Sequence, residues 1–112
     1  MGLGYWMDST AIAVHRTFID AIRGTPSLQI RDVARAQLEI TLPDNHGGRC
    51  TPDIWIDGAP AEGPHLIDLQ PHEVAAVEIF PRYVEFPARF IRDRRRGEGC
   101  GAILVWTKYG IR

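Results

Sequence analysis

The chain has 112 residues, of which 45% are apolar, which suffices for one modest hydrophobic core but not for two. Its 13 basic and 14 acidic side chains nearly cancel, which excludes a general nucleic-acid binder and a polybasic membrane anchor. No apolar run reaches the roughly 20 residues of a membrane-spanning helix, and the first residues lack the features of a signal peptide. We therefore expect one domain, residues 1–112, that is either cytoplasmic or a segment of a longer exported protein.

The first third of the chain predicts a helix followed by a hairpin. Residues 8–10, Asp-Ser-Thr, are typical of a helix start, and Gly24 and Pro26 are placed to end the helix. Its apolar face is formed by residues at helical spacing, namely Val14, Phe18, Ala21 and Ile22. About two turns are expected, with room for a shorter helix before them. Alternating apolar residues over 27–41 favour two short strands or a hairpin.

The rest of the chain predicts three more strands. Residues 42–49 form a loop by composition, and strand 53–56 ends at the turn dipeptide Asp57-Gly58. Residues 71–73 predict a brief helical turn before strand 74–80, which Pro81 ends. Residues 82–98 are irregular, and residues 102–107 form the closing strand.

No catalytic or metal constellation is visible in the sequence. The four histidines lack the spacing of metal ligands among themselves or with the cysteines: His15, His46, His65 and His72. No Ser/His/Asp set, phosphate-binding loop or dinucleotide-binding motif occurs. Five carboxylates are candidates for general acid–base catalysis, but their positions in the sequence match no catalytic motif: Asp53, Asp57, Asp68, Glu73 and Glu78. We therefore predict no enzyme activity, no cofactor and no metal.

The two cysteines each stand shortly before a predicted strand. If the strands 54–56 and 102–105 are neighbours in the sheet, the sulfurs of Cys50 and Cys100 can meet. A disulfide that closes a loop of this length stabilises by about 4 kcal/mol in the chain-entropy model and implies an oxidising compartment. The alternative is two separate buried thiols in a cytoplasmic protein.

Two tryptophans occupy corresponding places in the same two strands. Trp55 and Trp106 alternate with apolar neighbours, so both are expected on the sheet face opposite those neighbours. That face is either packed and covered by a helix or exposed as a surface for a partner.

Four blocks of the sequence resemble, in the same order, the plug domain of TonB-dependent outer-membrane receptors. A helix followed by Thr25-Pro26-Ser27 is similar to the family's helix before Pro-Gly, and Asp57-Gly58-Ala59-Pro60 to its "DGvp" strand end. Residues 72–80 and 99–108 match its "IerIEV" and "GaGVInIvTk" strands. Ser27 departs from the family's Gly, as does Pro81-Arg82 from its Arg-Gly-Pro turn. The cysteine-bearing form resembles plug-like segments that follow carboxypeptidase-regulatory-like domains.

The resemblance implies an α+β fold, a small mixed four-stranded sheet with short helices on one side, stapled by Cys50 and Cys100. It implies a non-catalytic binding or gating module of the Gram-negative periplasm or outer membrane, whose partner is a β-barrel or a periplasmic protein. A 22-stranded barrel at about 10 residues per strand needs upwards of about 220 residues, more than this chain has. The alternatives are a stand-alone periplasmic interaction domain and, less favoured, a small cytoplasmic enzyme or binding protein.

Within such a receptor, the loops of the plug contribute contacts to a small-molecule ligand that the sequence does not identify. We expect those contacts from residues 43–49 and 82–98. The candidate residues are Asn45, His46, Arg49, Arg82, Tyr83, Arg92, Arg94, Arg95 and Arg96. The charge run 92–96 has a plainer reading as a solvated loop.

Overall fold

The computed structural model describes residues 5–34, 37–43, 47–80 and 101–109. The strands are β1 (Tyr5–Asp8), β2 (Gln29–Ala34), β3 (Gln37–Pro43), β4 (Arg49–Cys50), β5 (Asp53–Ile56), β6 (Ala59–Ala61), β7 (Val74–Phe80) and β8 (Ala102–Thr107). The helices are α1 (Ser9–Ala13), α2 (Phe18–Arg23) and α3 (Gly63–Ile67), with a single 3-10 turn at Pro71–Glu73. None of these helices is long and apolar enough to cross a membrane.

The larger sheet has five strands in the order β1-β7-β8-β5-β6. β7 runs antiparallel to both β1 and β8, whereas β5 runs parallel to β8 with Trp55 opposite Leu104. β6 returns antiparallel to β5 through the predicted turn. The predicted α+β class and the mixed sheet are confirmed, with one strand more than the four expected.

A second sheet of three strands stands apart from the first in hydrogen bonding. β2 and β3 form the antiparallel hairpin that the alternation over 27–41 predicted, with Ile30 opposite Ile40. The two residues of β4 add to the other side of β3, where Cys50 pairs with Leu42.

The core lies between one face of the larger sheet and the three helices. Phe18 and Ile22 of α2 are fully buried against sheet residues that include Val77, Ile103 and Val105. No helical residue belongs to the smaller buried cluster on the other face, among the residues described. The helices therefore cover one side of the sheet, as predicted.

Side-chain oxygens start the first two helices. Asp8 Oδ1 accepts from the backbone N–H of Ala11 at 2.9 Å, as the sequence indicated. Thr17 Oγ1 accepts from Asp20 N at 3.0 Å and starts α2, so the chain forms two helices of five and six residues. Val14 lies between them and is 78% exposed, so its predicted place on the buried helix face was wrong.

Four short elements were not predicted: β1, β4, β6 and α3. Each has between two and five residues, too few for an apolar period to appear. β6 also contains Pro60, which is tolerated because the strand lies at the edge of the sheet. The three strands are held by pairing with neighbouring strands, whereas α3 begins at a local capping box of Glu62 and His65.

Candidate functional site

The turn between β5 and β6 is bonded to the end of β8. Asp57 and Gly58 both have positive φ, 54° and 87°, as a two-residue hairpin turn requires. Asp57 N donates to Val105 O at 2.8 Å, while Thr107 donates twice to the Asp57 carboxylate, N to Oδ1 at 2.8 Å and Oγ1 to Oδ2 at 2.6 Å. The side chain of Asp57 therefore joins two segments 50 residues apart.

These contacts argue for a structural use of the carboxylates. Both oxygens of Asp57 already accept a hydrogen bond, so proton transfer there would compete with the joint to β8. Glu73 Oε1 accepts from Gln70 N at 3.2 Å in the capping box of the 3-10 turn. No group of three or more His, Cys, Asp or Glu side chains arranged to hold a metal occurs in the described part of the chain.

Arg49 is the candidate loop residue whose contacts are visible. Its Nε donates to Thr41 Oγ1 at 2.8 Å, and its Nη2 donates to Thr41 O at 2.9 Å and Ser27 O at 2.7 Å. Ser27 has φ of 74°, so the guanidinium holds the carbonyl of a left-handed residue between α2 and β2. The guanidinium thus ties β4, β3 and the start of β2 together. A ligand at Arg49 would have to share these bonds.

The remaining candidate loop residues lie outside the described residues. They are Asn45, His46, Arg82, Tyr83, Arg92, Arg94, Arg95 and Arg96. Their role as ligand contacts stays a prediction.

The disulfide also involves a residue outside the described ranges, Cys100. Cys50 ends β4, three residues before Asp53, and no described cysteine is a free thiol. Asp53 pairs with Ala102 at the start of two parallel strands, and Asp53 N donates to Gly101 O at 3.1 Å. Asp53 and Gly101 therefore lie side by side at the start of the two strands. The expected adjacency of the two strands is confirmed, and the disulfide stays a prediction.

The two tryptophans lie on one face of the sheet, in a cluster with Phe80 and Leu104. Trp55 is only 2% exposed, whereas Trp106 is partly buried. Trp55 is thus packed, as on a covered face, but among the described residues no helix supplies a side chain to its cluster, so the expected covering helix is not found there. Trp55 therefore offers no surface to a partner, because its ring packs inside the cluster.

Two exposed aromatic side chains lie elsewhere, on β1. Trp6 is 60% exposed and Tyr5 is 40% exposed. Tyr5 and Met7 line a groove of about 580 Å³ beside α2, together with Asp20 and Arg23. The sequence did not predict this groove because β1 was not predicted. Two adjacent aromatic residues, Tyr5 and Trp6, just before the helix cap at Asp8 were the available signal.

A second groove, of about 350 Å³, lies between β3, β5 and the start of α3. Glu39 and Glu62 line it together with Thr51 and Ile54, and no basic side chain is among its lining residues. The Glu62 backbone N–H donates to His65 Nδ1 at 2.9 Å, which orders the start of α3 at the rim.

Comparison with known proteins finds similarity in structure. No protein-family profile and no curated protein sequence matches the chain. A chain of the RagAB peptide importer in its open-open state matches with a TM-score of 0.65 and 13% identity. The importer in its closed-closed state gives 0.63 and 11%, and a further structure of the RagAB peptide transporter gives 0.60 and 13%.

The matched part is nearly all of this chain but little of its neighbours. The three similarities cover 94–96% of this chain and 12% of each neighbouring chain. At this identity the likeness shows a shared fold. The two-sheet α+β domain described above therefore has the fold of a segment that makes up about an eighth of these transporter chains.

Proposed function

We propose that this chain is a non-catalytic, plug-like module of a transporter in the Gram-negative outer membrane. The observation that carries the proposal is the fold match over 94% of the chain, at a TM-score of 0.65, to part of a peptide importer. The sequence resemblance to the plug domain supports it independently. The two observations point to the same class of protein by different routes.

The residues that carry the sequence resemblance also have a common structural use. Asp57 and Gly58 form the turn after β5, and Thr107 ends β8, the closing strand. Their side chains and backbone meet in one joint, through the two bonds to the Asp57 carboxylate. The positions that carry the resemblance are therefore positions that this fold uses for a contact between distant segments, which supports the proposal.

In the proposed role, the five-stranded sheet is a rigid body that occludes the pore of a surrounding β-barrel. Rigidity follows from a core in which Phe18, Ile22 and Val77 are fully buried. The loops 43–49 and 82–98 would face the ligand, and we propose a peptide as that ligand because the structural neighbours are peptide importers. The module would act in the periplasm or at the outer membrane, where an oxidised Cys50–Cys100 pair is stable.

Electrical conductance tests the plug role directly. The complete protein that contains this chain is reconstituted in a planar lipid bilayer, with a deletion variant that lacks residues 1–112 of the present numbering. We expect a large rise in ion conductance on deletion, because the barrel loses the body that fills its pore. A matched control keeps the segment and carries Tyr109→Ala, an exposed position away from the sheet core. Equal conductance of the deleted and intact forms contradicts the proposal.

A stand-alone interaction domain is the second candidate. The exposed Tyr5 and Trp6 favour it, since aromatic residues at a surface are common in protein interfaces. The complete coding sequence separates the two: a parent protein without a barrel segment leaves only the interaction role. A small enzyme is the least supported reading, because the described carboxylates Asp57 and Glu73 serve structural bonds.

A further inference from the structure

The outer edges of the sheets differ in how they are protected against added strands. In the larger sheet, β6 has three residues, with Pro60 at the centre, which lacks a backbone donor. In the smaller sheet, β2 carries Arg31, whose exposed side chain pairs with Glu39 at 3.4 Å. Short length, proline and charge are the usual devices that block an edge.

β1 is the unprotected edge. It contains no proline and no basic residue, and no described strand pairs with its outer side. Its inner side pairs with β7 in antiparallel register from Tyr5 opposite Ile79 to Asp8 opposite Ala76. In such a pair about half of the backbone N–H and C=O groups point away from the partner strand. β1 therefore offers hydrogen-bonding groups to a further strand.

The side chains of β1 provide contacts for an added strand on both faces of the sheet. Tyr5 and Met7 face the groove of about 580 Å³, a volume within the roughly 300–1,000 Å³ of typical ligand sites. Trp6 lies on the opposite face because side chains alternate along a strand. A strand added to β1 would have every second side chain in the groove and the others beside Trp6.

The charged side chains in the groove indicate which charges a ligand there would carry. Arg23 Nε and Asp20 Oδ1 lie 3.7 Å apart, and about half of each side chain is exposed. Such an ion pair contributes little free energy, so each side chain can pair with a charge of the ligand instead. A groove with both signs complements a chain that carries both, whereas a polyanion would meet Asp20. A second copy of this chain is disfavoured, because a four-residue strand buries much less than the about 800 Å² per partner of a stable interface.

We propose that β1 and its groove bind a linear peptide in extended conformation, which adds a strand to the sheet. The ligand has bulky apolar side chains at alternate positions and charged groups of both signs. This inference names a site that the plug role does not require, and it rests on the edge of β1 and on the side chains that line the groove beside it.

The direct test uses the 112-residue chain and the heptapeptide Lys-Val-Thr-Val-Thr-Val-Glu. Two further peptides carry N-methyl groups, one on the valine amides and the other on the threonine amides. A strand uses one edge for pairing, so we expect one methylated peptide to bind and the other to lose at least about tenfold in affinity. Amide exchange is expected to slow at residues 5–8. Equal affinity of both methylated peptides, or no binding of the parent peptide, overturns the proposal.

Variants locate the site. Tyr5→Ala and Trp6→Ala are expected to weaken peptide binding about three- to tenfold each, the usual effect of losing an aromatic contact. Tyr109→Ala removes a 70% exposed aromatic side chain elsewhere and is expected to leave the affinity unchanged. An equal loss in all three variants contradicts the assignment, as does a dimer in sedimentation that the peptide does not dissociate. Failure here leaves the plug proposal intact, since bilayer conductance reads a different property.

Discussion

Two residues other than glycine adopt positive φ among the described residues, Ser27 at 74° and Asp57 at 54°. At Asp57 the residue's own carboxylate offsets the cost of the left-handed backbone by accepting two hydrogen bonds from Thr107. At Ser27 the conformation is held from outside, because Arg49 Nη2 donates to the Ser27 carbonyl at 2.7 Å. The same backbone strain is thus stabilised in one case by the residue itself and in the other by a distant side chain.

The difference bears on how replaceable each residue is. Aspartate is among the few non-glycine residues that adopt left-handed backbone readily, and its side chain is needed there. Serine has no such advantage. The plug domains that the sequence resembles have glycine at the position of Ser27. We therefore expect substitutions at the two positions to act in opposite directions on the free energy of unfolding.

The largest effect is expected for Asp57→Ala. The change removes both acceptors of Thr107 and leaves alanine at positive φ, so we expect a loss of about 3 kcal/mol in urea unfolding. Asp57→Gly separates the two causes: it relieves the backbone and is expected to lose about 1 kcal/mol less. If the two variants lose the same amount, the backbone strain at Asp57 is negligible.

Thr107→Val tests one bond of the joint. Valine keeps the shape and the backbone N–H but removes the hydroxyl that donates to Asp57 Oδ2 at 2.6 Å. We expect a loss of about 1.5 kcal/mol in the same unfolding measurement, typical of a bond to a charged acceptor. In the Asp57→Ala background the hydroxyl has no carboxylate to reach, so the effect of Thr107→Val should shrink to near zero. Additive losses would contradict the coupling.

The contact between Asp57 and Thr107 shows which features could be predicted from the sequence and which could not. Asp57-Gly58 predicted its own turn correctly because the φ requirement of a two-residue hairpin is local. The bond to Thr107 was not predicted, because it depends on the parallel register that places Ile56 opposite Val105, and the expected adjacency of β5 and β8 does not fix that register. Strands β5, β7 and β8 were predicted from their buried apolar residues. β1 was missed because four residues with one half-buried side chain form no pattern.

The candidate sites divide in the same way. Burial of Trp55 follows from the packing of a sheet face, which the sequence left open between two alternatives. The use of Arg49 as a link between β4, Thr41 and Ser27 depends on the Thr41 hydroxyl and on a backbone carbonyl 22 residues away. The groove beside β1 depends on an edge strand and a helix that the sequence did not place together. Local chemistry was therefore predictable, and contacts across the fold were not.

Arg49→Ala probes the external support of Ser27. The variant loses three hydrogen bonds of an exposed side chain, and we expect a loss of about 1 kcal/mol. Arg31→Ala is the matched control, because it removes an arginine of the same small sheet whose ion pair with Glu39 is exposed. The control is expected to change the unfolding free energy by less than about 0.5 kcal/mol. Equal losses would show that the bonds of Arg49 contribute nothing specific.

Ser27→Gly is expected to have the smallest effect, and it is the one that raises stability. Relief of the left-handed backbone is worth about 1 kcal/mol, and the greater freedom of glycine in the unfolded chain removes part of this, so we expect a net gain of about 0.5 kcal/mol. The reverse exchange, Gly58→Ser, places serine at φ of 87° and should lose about 1 kcal/mol.

The two exchanges together decide whether strain or side-chain contacts dominate at Ser27. Gly58 has no atom within 4 Å of an added Cβ, so a loss there reports backbone conformation and not a steric clash. A gain from Ser27→Gly alongside a loss from Gly58→Ser establishes strain as the common cause. If Ser27→Gly instead destabilises the protein, the hydroxyl of Ser27 contributes more to the free energy of unfolding than the backbone strain costs. Serine at position 27 is then a stabilising feature of this chain.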